Sequence, residues 1–258
     1  MLLRMEIDGR PPTAERLRHP ALVNYGHFTA MQVRGGRVRG LGLHLARLDA
    51  GNRELFGAGL DGDLVRHRVR HALGDDVRDA SVRVIVHWPD DADAAAVMVT
   101  VRPPAPSPGA PLSLRSVSYQ RPAPHIKHVG GFGQMYHARR AVREGFDDAL
   151  LTGPGGVIAE SAIANIGFFD GTGVLWPDAP CLSGITMQLL EPLLPAAGLP
   201  SRRGPVRLAD LPSLRSAVVT NSHGVAPVSR IDDLDLPVDA AFTRTVTETY
   251  ESVPWDAI

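Results

Sequence analysis

Apolar residues recur at two different spacings in the first hundred residues. Residues 41–55 carry leucines at helical intervals, at Leu41, Leu45, Leu48 and Leu55. Residues 64–73 repeat this spacing with Val65, Val69 and Leu73. Both segments predict amphipathic helices. Residues 80–88 and 94–101 are apolar and β-branched and flank a Pro-Asp turn, so they predict a strand hairpin. This half therefore predicts helices on an antiparallel sheet.

The second half predicts strands with fewer helices. The expected strands are residues 112–119, 149–151, 157–159, 166–169, 174–176 and 217–220, and the expected helices are residues 133–144 and 186–194. A proline-rich stretch lies between the halves, and we interpret it as a linker. The predicted organisation is a small N-terminal α/β domain at 1–105, a linker at 106–111 and a larger C-terminal domain at 112–258.

Composition is that of an ordinary globular protein. The chain has 258 residues, 44% of them hydrophobic and 21% charged, with a formal net charge of −1. This balance predicts no nucleic-acid partner. No apolar run reaches transmembrane length, so no membrane partner is expected. Cys181 is the single cysteine, which favours a reducing compartment, and the cytoplasm is the expected location.

Two charged residues suggest a reactive site. Lys127 follows a Pro-His-Ile segment and precedes a glycine-rich stretch, where backbone can approach a ligand closely. Glu160 lies 33 positions downstream, and a helix and a strand are predicted between them. A lysine that forms a Schiff base, with an acid facing a pyridinium nitrogen, is the minimum set for pyridoxal 5′-phosphate (PLP) chemistry. Taken singly, each residue is more often an ordinary surface charge.

Three further stretches suit a phosphate group. Gly184 to Thr186 lies at a predicted helix N-terminus, which attracts anions. Thr220 to Gly224 follows a strand and is rich in small donors, and Arg47 can bind phosphate through two N–H groups. The ordinary alternatives are a helix cap, a turn and an exposed helical arginine.

Taken in order, these motifs resemble one family. The order is His-x-x-Arg-Leu, the lysine, the glutamate with a downstream Asn, Gly-Ile-Thr, and Thr-Asn-Ser followed by Pro-Val. It resembles the fold-type IV PLP enzymes, or class IV aminotransferases, from about Tyr25 to Ile231. This family includes branched-chain and D-amino-acid aminotransferases, (R)-amine transaminases and aminodeoxychorismate lyase. The resemblance implies the D-amino-acid-aminotransferase-like fold: a small α/β domain, a larger domain around a β-barrel, PLP between them, and a homodimer.

The resemblance also implies residue roles. Lys127 would be the internal-aldimine lysine and proton shuttle, and Glu160 would face the pyridine nitrogen. The residues implied to hold the phosphate are Arg47, Ile185 through its backbone N–H, Thr186, Asn221 and Ser222. No metal is implied.

The chain departs from the family pattern at two places. Many branched-chain enzymes have a tyrosine five residues after the lysine, where this chain has Phe132, and Tyr136 is the alternative partner for the ring hydroxyl. The loop at 87–93, which supplies an arginine in D-amino-acid enzymes, is acidic here. The polar residues left as candidates for the substrate pocket are Tyr25, His27 and Gln32.

The favoured function is a PLP-dependent aminotransferase that moves an amino group from an amino acid or amine to a keto acid. The alternative is an aminodeoxychorismate-lyase-like enzyme that eliminates pyruvate, because Thr220-Asn221-Ser222 and Lys127-His128 resemble that subgroup. A third hypothesis is a non-catalytic protein with the PLP fold, suggested by the altered stretch at 130–133.

Overall fold

The computed structural model describes residues 2–89, 92–106 and 109–258, which form fifteen β-strands and six α-helices. The strands are β1 (Arg4–Ile7), β2 (His27–Val33), β3 (Arg37–Arg39), β4 (Ala80–His87), β5 (Ala96–Arg102), β6 (Leu112–Ser118), β7 (Asp148–Thr152), β8 (Ile158–Ser161), β9 (Asn165–Phe169), β10 (Val174–Pro177), β11 (Ser201–Gly204), β12 (Ser216–Asn221), β13 (Gly224–Ile231), β14 (Leu234–Asp235) and β15 (Trp255–Ala257). The helices are α1 (Ala14–Leu22), α2 (Leu41–Phe56), α3 (Gly62–Leu73), α4 (Phe132–Arg143), α5 (Ile185–Leu190) and α6 (Ala240–Glu251).

The first compact unit comprises Met1–Pro106, Ile126–Gly130 and Pro254–Ile258. Its antiparallel sheet has the order β1-β5-β4-β2, so β2 lies at an edge. Alternate residues of these strands point to opposite faces. The apolar face packs with α2 and α3 around a core that includes Val33, Val84, Val99, Leu48 and Val69. The predicted helices at 41–55 and 64–73 and the predicted hairpin are confirmed here.

The second unit comprises Ser107–His125 and Gly131–Val253. Its mixed sheet has nine strands, in the order β11-β10-β9-β12-β13-β6-β7-β8 with β14 on β13, and it curls into a half-barrel. Strand β6 runs parallel to both neighbours, while β12 pairs antiparallel with β9 and β13. The core between the strands includes Leu114, Ile166, Phe168 and Val228.

The sequence prediction fails at one helix end. The helix expected at 186–194 stops at Leu190, and Pro192 explains the early end because proline has no backbone N–H to donate. The predicted linker at 106–111 includes residues 107 and 108, which lie outside the described residues. No helix in the described ranges is both long enough and apolar enough to cross a membrane.

Candidate active site

Lys127 is the only lysine of the chain and is fixed against strand β2. The N–H of Phe28 donates to the carbonyl of Lys127 over 2.8 Å, and the N–H of Val129 donates to the carbonyl of Gly26 over 2.9 Å. Since β2 is an edge strand, its outer side is available to bind this segment. The ammonium Nζ lies 4.9 Å from the centre of the Phe28 ring. Its backbone and its amine are therefore both positioned by one strand.

Arg83 shares the same aromatic ring. Its guanidinium carbon lies 4.6 Å from the centre of the Phe28 ring, and its side chain is exposed on the face of β4 opposite the apolar core. Lys127 and Arg83 therefore lie close to the same phenyl ring. Arg83 is not among the site residues predicted from the sequence. In the sequence, polar Ser81 and Arg83 alternate with Val82 and Val84, which indicates only that Arg83 lies on the polar face of a strand.

Arg47 is a cation that no carboxylate of the described residues neutralises. It stands on α2, and its Nη2 donates to the hydroxyl of Thr29 on β2. Its Nε is shielded from solvent and has no hydrogen-bond partner among the described residues. Burial lowers the pKa of Arg47 to about 10, so the group stays charged at neutral pH. A shielded cation without a counter-ion suits an anionic ligand.

His44, three residues before Arg47, is buried on the same helix. Only 4% of its surface is exposed, and its Nδ1 lies 2.7 Å from the hydroxyl of Thr29. Burial, followed by the nearby charges of Arg47 and Lys127, lowers the pKa of His44 to about 3. His44 is therefore neutral, and the charges of both Lys127 and Arg47 act on it.

The three residues suggested for the substrate pocket all have internal partners. Tyr25 is half exposed, and its hydroxyl donates weakly to the carbonyl of Leu55 over 3.4 Å. His27 is buried, and its Nε2 lies 3.4 Å from Oδ1 of Asn52. Gln32 donates to the Ser81 hydroxyl over 2.8 Å. Their substrate roles stay predictions.

Within the second unit, donors bond to each carboxylate oxygen of Glu160. Its Oε1 accepts from Nη1 of Arg121 over 3.2 Å, and its Oε2 accepts from the N–H of Leu182 over 3.3 Å. Both charged side chains are almost fully buried. Arg121 was missed by the sequence analysis, because nothing local indicates that its partner lies 39 residues away.

Asn165 fixes the segment that precedes α5. Its Nδ2 donates to the carbonyl of Leu182 over 2.7 Å, and its Oδ1 accepts from the N–H of Gly184 over 3.1 Å. A Cβ atom on Gly184 would lie only 2.0 Å from that oxygen, so only glycine fits there. The Asn that follows Glu160 in the sequence pattern thus orients the approach to Ile185 and Thr186.

The two predicted halves of the phosphate site contact each other within the second unit. The hydroxyl of Thr186 donates to the carbonyl of Asn221 over 2.7 Å. Ile185 and Thr186 open α5, and the first N–H groups of a helix have no intrahelical acceptor. Asn221 and Ser222 are half-buried at the turn between β12 and β13. The neighbouring Thr220 hydroxyl is buried, and no described residue bonds to it.

One glycine of the stretch after Lys127 is required by packing within the protein itself. A Cβ on Gly133 would lie 2.2 Å from the Tyr119 hydroxyl, so this glycine accommodates a side chain of the protein itself. Phe132 is 80% exposed and stacks on Tyr136 with ring centres 6.0 Å apart. Residues 90 and 91 of the acidic loop lie outside the described residues.

Each unit, taken by itself, carries groups that suit PLP. The first has the single lysine and an arginine that no carboxylate of the described residues neutralises. The second has a fixed carboxylate and the first backbone N–H groups of α5. A Schiff-base lysine, a phosphate cation and an acid for the ring nitrogen are the groups that PLP needs. The residues present therefore fit this cofactor.

Comparisons with known proteins agree with this chemistry. The profile of the amino-transferase class IV family matches residues 26–231. A hypothetical aminotransferase from Mycobacterium tuberculosis, in its PLP-bound form, has a TM-score of 0.80 at 21% identity, covering 91% of this chain and 90% of that one. The comparison with curated proteins gave no significant match.

Two other solved structures share the fold. A branched-chain aminotransferase from Thermoproteus uzoniensis has a TM-score of 0.81 at 19% identity, covering 97% and 94% of the two chains. A putative 4-amino-4-deoxychorismate lyase from Legionella pneumophila has a TM-score of 0.81 at 17% identity, covering 91% and 93%. The predicted fold class and the predicted PLP cofactor are confirmed by these findings. The protein belongs to the class IV aminotransferase family.

Proposed function

We propose that the protein is a PLP-dependent aminotransferase that moves an amino group between an amino acid or amine and a keto acid. The observation that carries this proposal lies in the first unit. The only lysine is fixed on β2, and the charges of both Lys127 and Arg47 act on His44. A reacting amine together with a cation that no carboxylate of the described residues neutralises is the arrangement that a phosphorylated aldehyde requires. One form of the M. tuberculosis aminotransferase holds α-ketoglutarate and PMP, which supports a keto-acid acceptor.

Lys127 acts as the cofactor-binding amine and as the proton carrier. PLP, when bound, supplies a conjugated pyridinium that accepts electrons from the substrate carbon. Once substrate has displaced Lys127, its Nζ would take the proton from that carbon and return it to the former aldehyde carbon of the cofactor, on the far side of the amino nitrogen. The Phe28 ring, whose centre is 4.9 Å from Nζ, covers one side of the amine.

Glu160 holds the proton on the ring nitrogen. Arg121 and the N–H of Leu182 each bond to a different carboxylate oxygen, so the direction of the carboxylate is fixed before any ligand arrives. A preorganised carboxylate needs no rotation when charge develops on the cofactor. Glu160→Gln should retain PLP and lose most of the turnover, whereas unchanged turnover would remove Glu160 from the mechanism.

The residues proposed for the phosphate are those named from the sequence. Arg47 provides the positive charge, and the other donors are Ile185 and Thr186 through their backbone N–H groups, Asn221 and Ser222. The hydroxyl proton of Thr186 is already donated to Asn221, so its backbone N–H is the available donor. Helix N-termini favour anions because their first backbone N–H groups have no acceptor within the helix.

The substrate carboxylate is assigned to Arg83. Arg83 and Lys127 lie against the same Phe28 ring, and the carboxylate of an amino or keto acid stands one bond from the carbon that reacts at the amine. Tyr25, His27 and Gln32 stay secondary candidates for the same pocket.

The protein is further proposed to be a cytoplasmic homodimer. Helix α4 exposes apolar side chains three and four positions apart, namely Phe132, Met135 and Tyr136. A second copy would cover this surface. Light scattering on wild type and Phe132→Glu measures the assembly. A monomeric wild type would contradict the proposal.

Half-reactions test the aminotransferase assignment. An amino donor alone should convert bound PLP to PMP, with loss of the visible absorbance band, and a keto acid should restore the band. Full turnover should show ping-pong kinetics. If no donor changes the spectrum of PLP-loaded protein, the aminotransferase assignment is wrong, and the non-catalytic hypothesis gains support.

The lyase reaction is the second candidate. The Thr220-Asn221-Ser222 turn that resembles lyases is retained, and the L. pneumophila protein of that description shares the fold. A lyase consumes no acceptor. Pyruvate release from aminodeoxychorismate without a keto acid would favour it over the aminotransferase.

A further inference from the structure

Thr29, His44 and Arg47 form a hydrogen-bonded chain in the first unit. Nη2 of Arg47 donates to the hydroxyl oxygen of Thr29, and that oxygen lies 2.7 Å from Nδ1 of His44. Thr29 is 0% exposed and His44 is 4% exposed, so water does not compete for these bonds. Neither Thr29 nor His44 has a role in the cofactor site assigned above.

Counting the available protons fixes the direction of the chain. A guanidinium can only donate, so the Thr29 oxygen accepts from Arg47. The Thr29 hydroxyl has no other hydrogen-bond acceptor among the described residues, so its one proton points to Nδ1 of His44, and that nitrogen is then unprotonated. Burial lowers the pKa of His44 to about 3, which agrees with a neutral imidazole ring.

The chain holds one end of the guanidinium and leaves the rest available. Nη2 is bonded to Thr29, whereas Nε is shielded and has no partner among the described residues. An arginine side chain otherwise loses considerable rotamer freedom when it binds a ligand. An arginine that is already fixed loses less of that freedom on binding, and its affinity for the ligand rises.

We propose that Thr29 and His44 are positioning residues that orient Arg47 for a phosphate monoester. The proposal rests on the proposed function in one respect, namely that Arg47 binds the phosphate of PLP. Thr29 and His44 are both buried, and buried residues often serve packing alone. An ordinary packing role for both residues is therefore the competing explanation.

The test compares PLP with pyridoxal, which lacks the phosphate. The full chain is stripped of cofactor and titrated with each ligand, and far-UV circular dichroism verifies the fold of each variant. Thr29→Val keeps the shape but accepts no hydrogen bond from Arg47, and Thr29→Ser restores the hydroxyl. Thr29→Val should weaken PLP about tenfold, as expected for a bond to a charged group, and leave pyridoxal unchanged. Thr29→Ser should bind both ligands like wild type.

A second pair of variants covers the case in which Thr29→Val does not fold. His44→Asn keeps an acceptor near the position of Nδ1, and His44→Leu removes it. His44→Leu should weaken PLP but not pyridoxal, and His44→Asn should retain most of the PLP affinity. Equal losses for PLP and pyridoxal, or no loss, would overturn the positioning role.

The variant Arg47→Gln distinguishes a failure of the positioning role from a failure of the proposed phosphate-binding role of Arg47. If this variant shows no selective loss of PLP over pyridoxal, Arg47 does not bind the phosphate and the assignment of the cofactor site is at fault. If Arg47→Gln loses PLP selectively while the Thr29 and His44 variants do not, only the positioning proposal fails.

Discussion

Arg121 and Glu160 form a buried ion pair, with Nη1 of Arg121 3.2 Å from Oε1 of Glu160 and only 4% and 7% of the two side chains exposed. Nη1 of Arg121 also donates to the carbonyl of Pro124 over 2.8 Å. This arginine therefore ties the segment before Lys127 to strand β8 inside the second unit. Removing one partner of a buried pair leaves a charge that is desolvated and uncompensated.

Arg121→Met should lower the free energy of unfolding by about 3–5 kcal/mol, because it strands the carboxylate of Glu160 in the interior. Urea denaturation of the PLP-free protein measures this change. Arg203→Met is the matched control, since its pair with Glu191 has 43% and 23% of the side chains exposed. An exposed pair contributes about 0–1 kcal/mol. Similar losses in both variants would contradict a structural role specific to the buried pair.

Local pattern was sufficient for most elements around the site. The leucine spacing predicted α2 within one residue at its C-terminal end, and the β-branched runs predicted β4 and β5. It did not show that His44 would be buried on the face of α2 that contacts β2. The leucines predicted an apolar face on α2. His44 is also buried, because the Thr29 hydroxyl forms a hydrogen bond with its ring nitrogen.

The missed features depend on contacts between distant parts of the chain. Lys127 pairs with Phe28 across about a hundred residues, and Arg121 meets Glu160 across 39. Periodicity reports which face of an element is apolar, but it carries no information about which edge strand receives a remote segment. The lysine could still be selected from the sequence, because the chain has no other.

Borohydride reduction of the PLP-loaded protein should attach the cofactor to one internal site. Lys127 is the only side-chain amine, so the mass increase should map to the peptide that contains it. Peptide mass spectrometry after cleavage at arginine makes the assignment. Lys127→Arg keeps a cation on the Phe28 ring but cannot form a Schiff base, and it should show no internal label. Labelling of Lys127→Arg elsewhere than the chain terminus would exclude the proposed attachment.

Arg83→Met should raise the KM for a keto acid about ten- to a hundredfold, the range for losing a hydrogen bond between charged groups. The KM for an amine donor without a carboxylate should stay unchanged, because Arg83 has no group to bind there. Steady-state kinetics with both substrates measure the split. Arg78→Met removes an exposed arginine whose side chain donates to the carbonyl of Gly35, and it serves as the control. If both substrates respond alike to Arg83→Met, Arg83 supports the fold of the sheet and not the carboxylate.

His27 should make stability depend on pH below neutrality. Burial lowers its pKa from 6.5 to about 4, with a smaller opposing contribution from its hydrogen bond to Asn52. Between these two values the unfolded chain binds the proton and the folded protein does not, so stability falls as the pH falls. The stability contributed by neutral His27 is fully present above pH 6.5 and is lost as the pH approaches 4. At pH 5 the loss relative to pH 8 should be about 2 kcal/mol.

Comparing His27→Gln with wild type isolates this contribution from all other titrating groups. The variant cannot take up the proton, so its free energy of unfolding should fall about 2 kcal/mol less than that of wild type between pH 8 and pH 5. Urea denaturation across this range supplies the values. His67→Gln replaces an exposed histidine on α3 and should follow the wild-type curve. The ring of His27 packs tightly over Gly51, where a Cβ atom would lie 3.0 Å from Nδ1. Parallel curves for wild type and His27→Gln would mean that this packing does not hold His27 neutral.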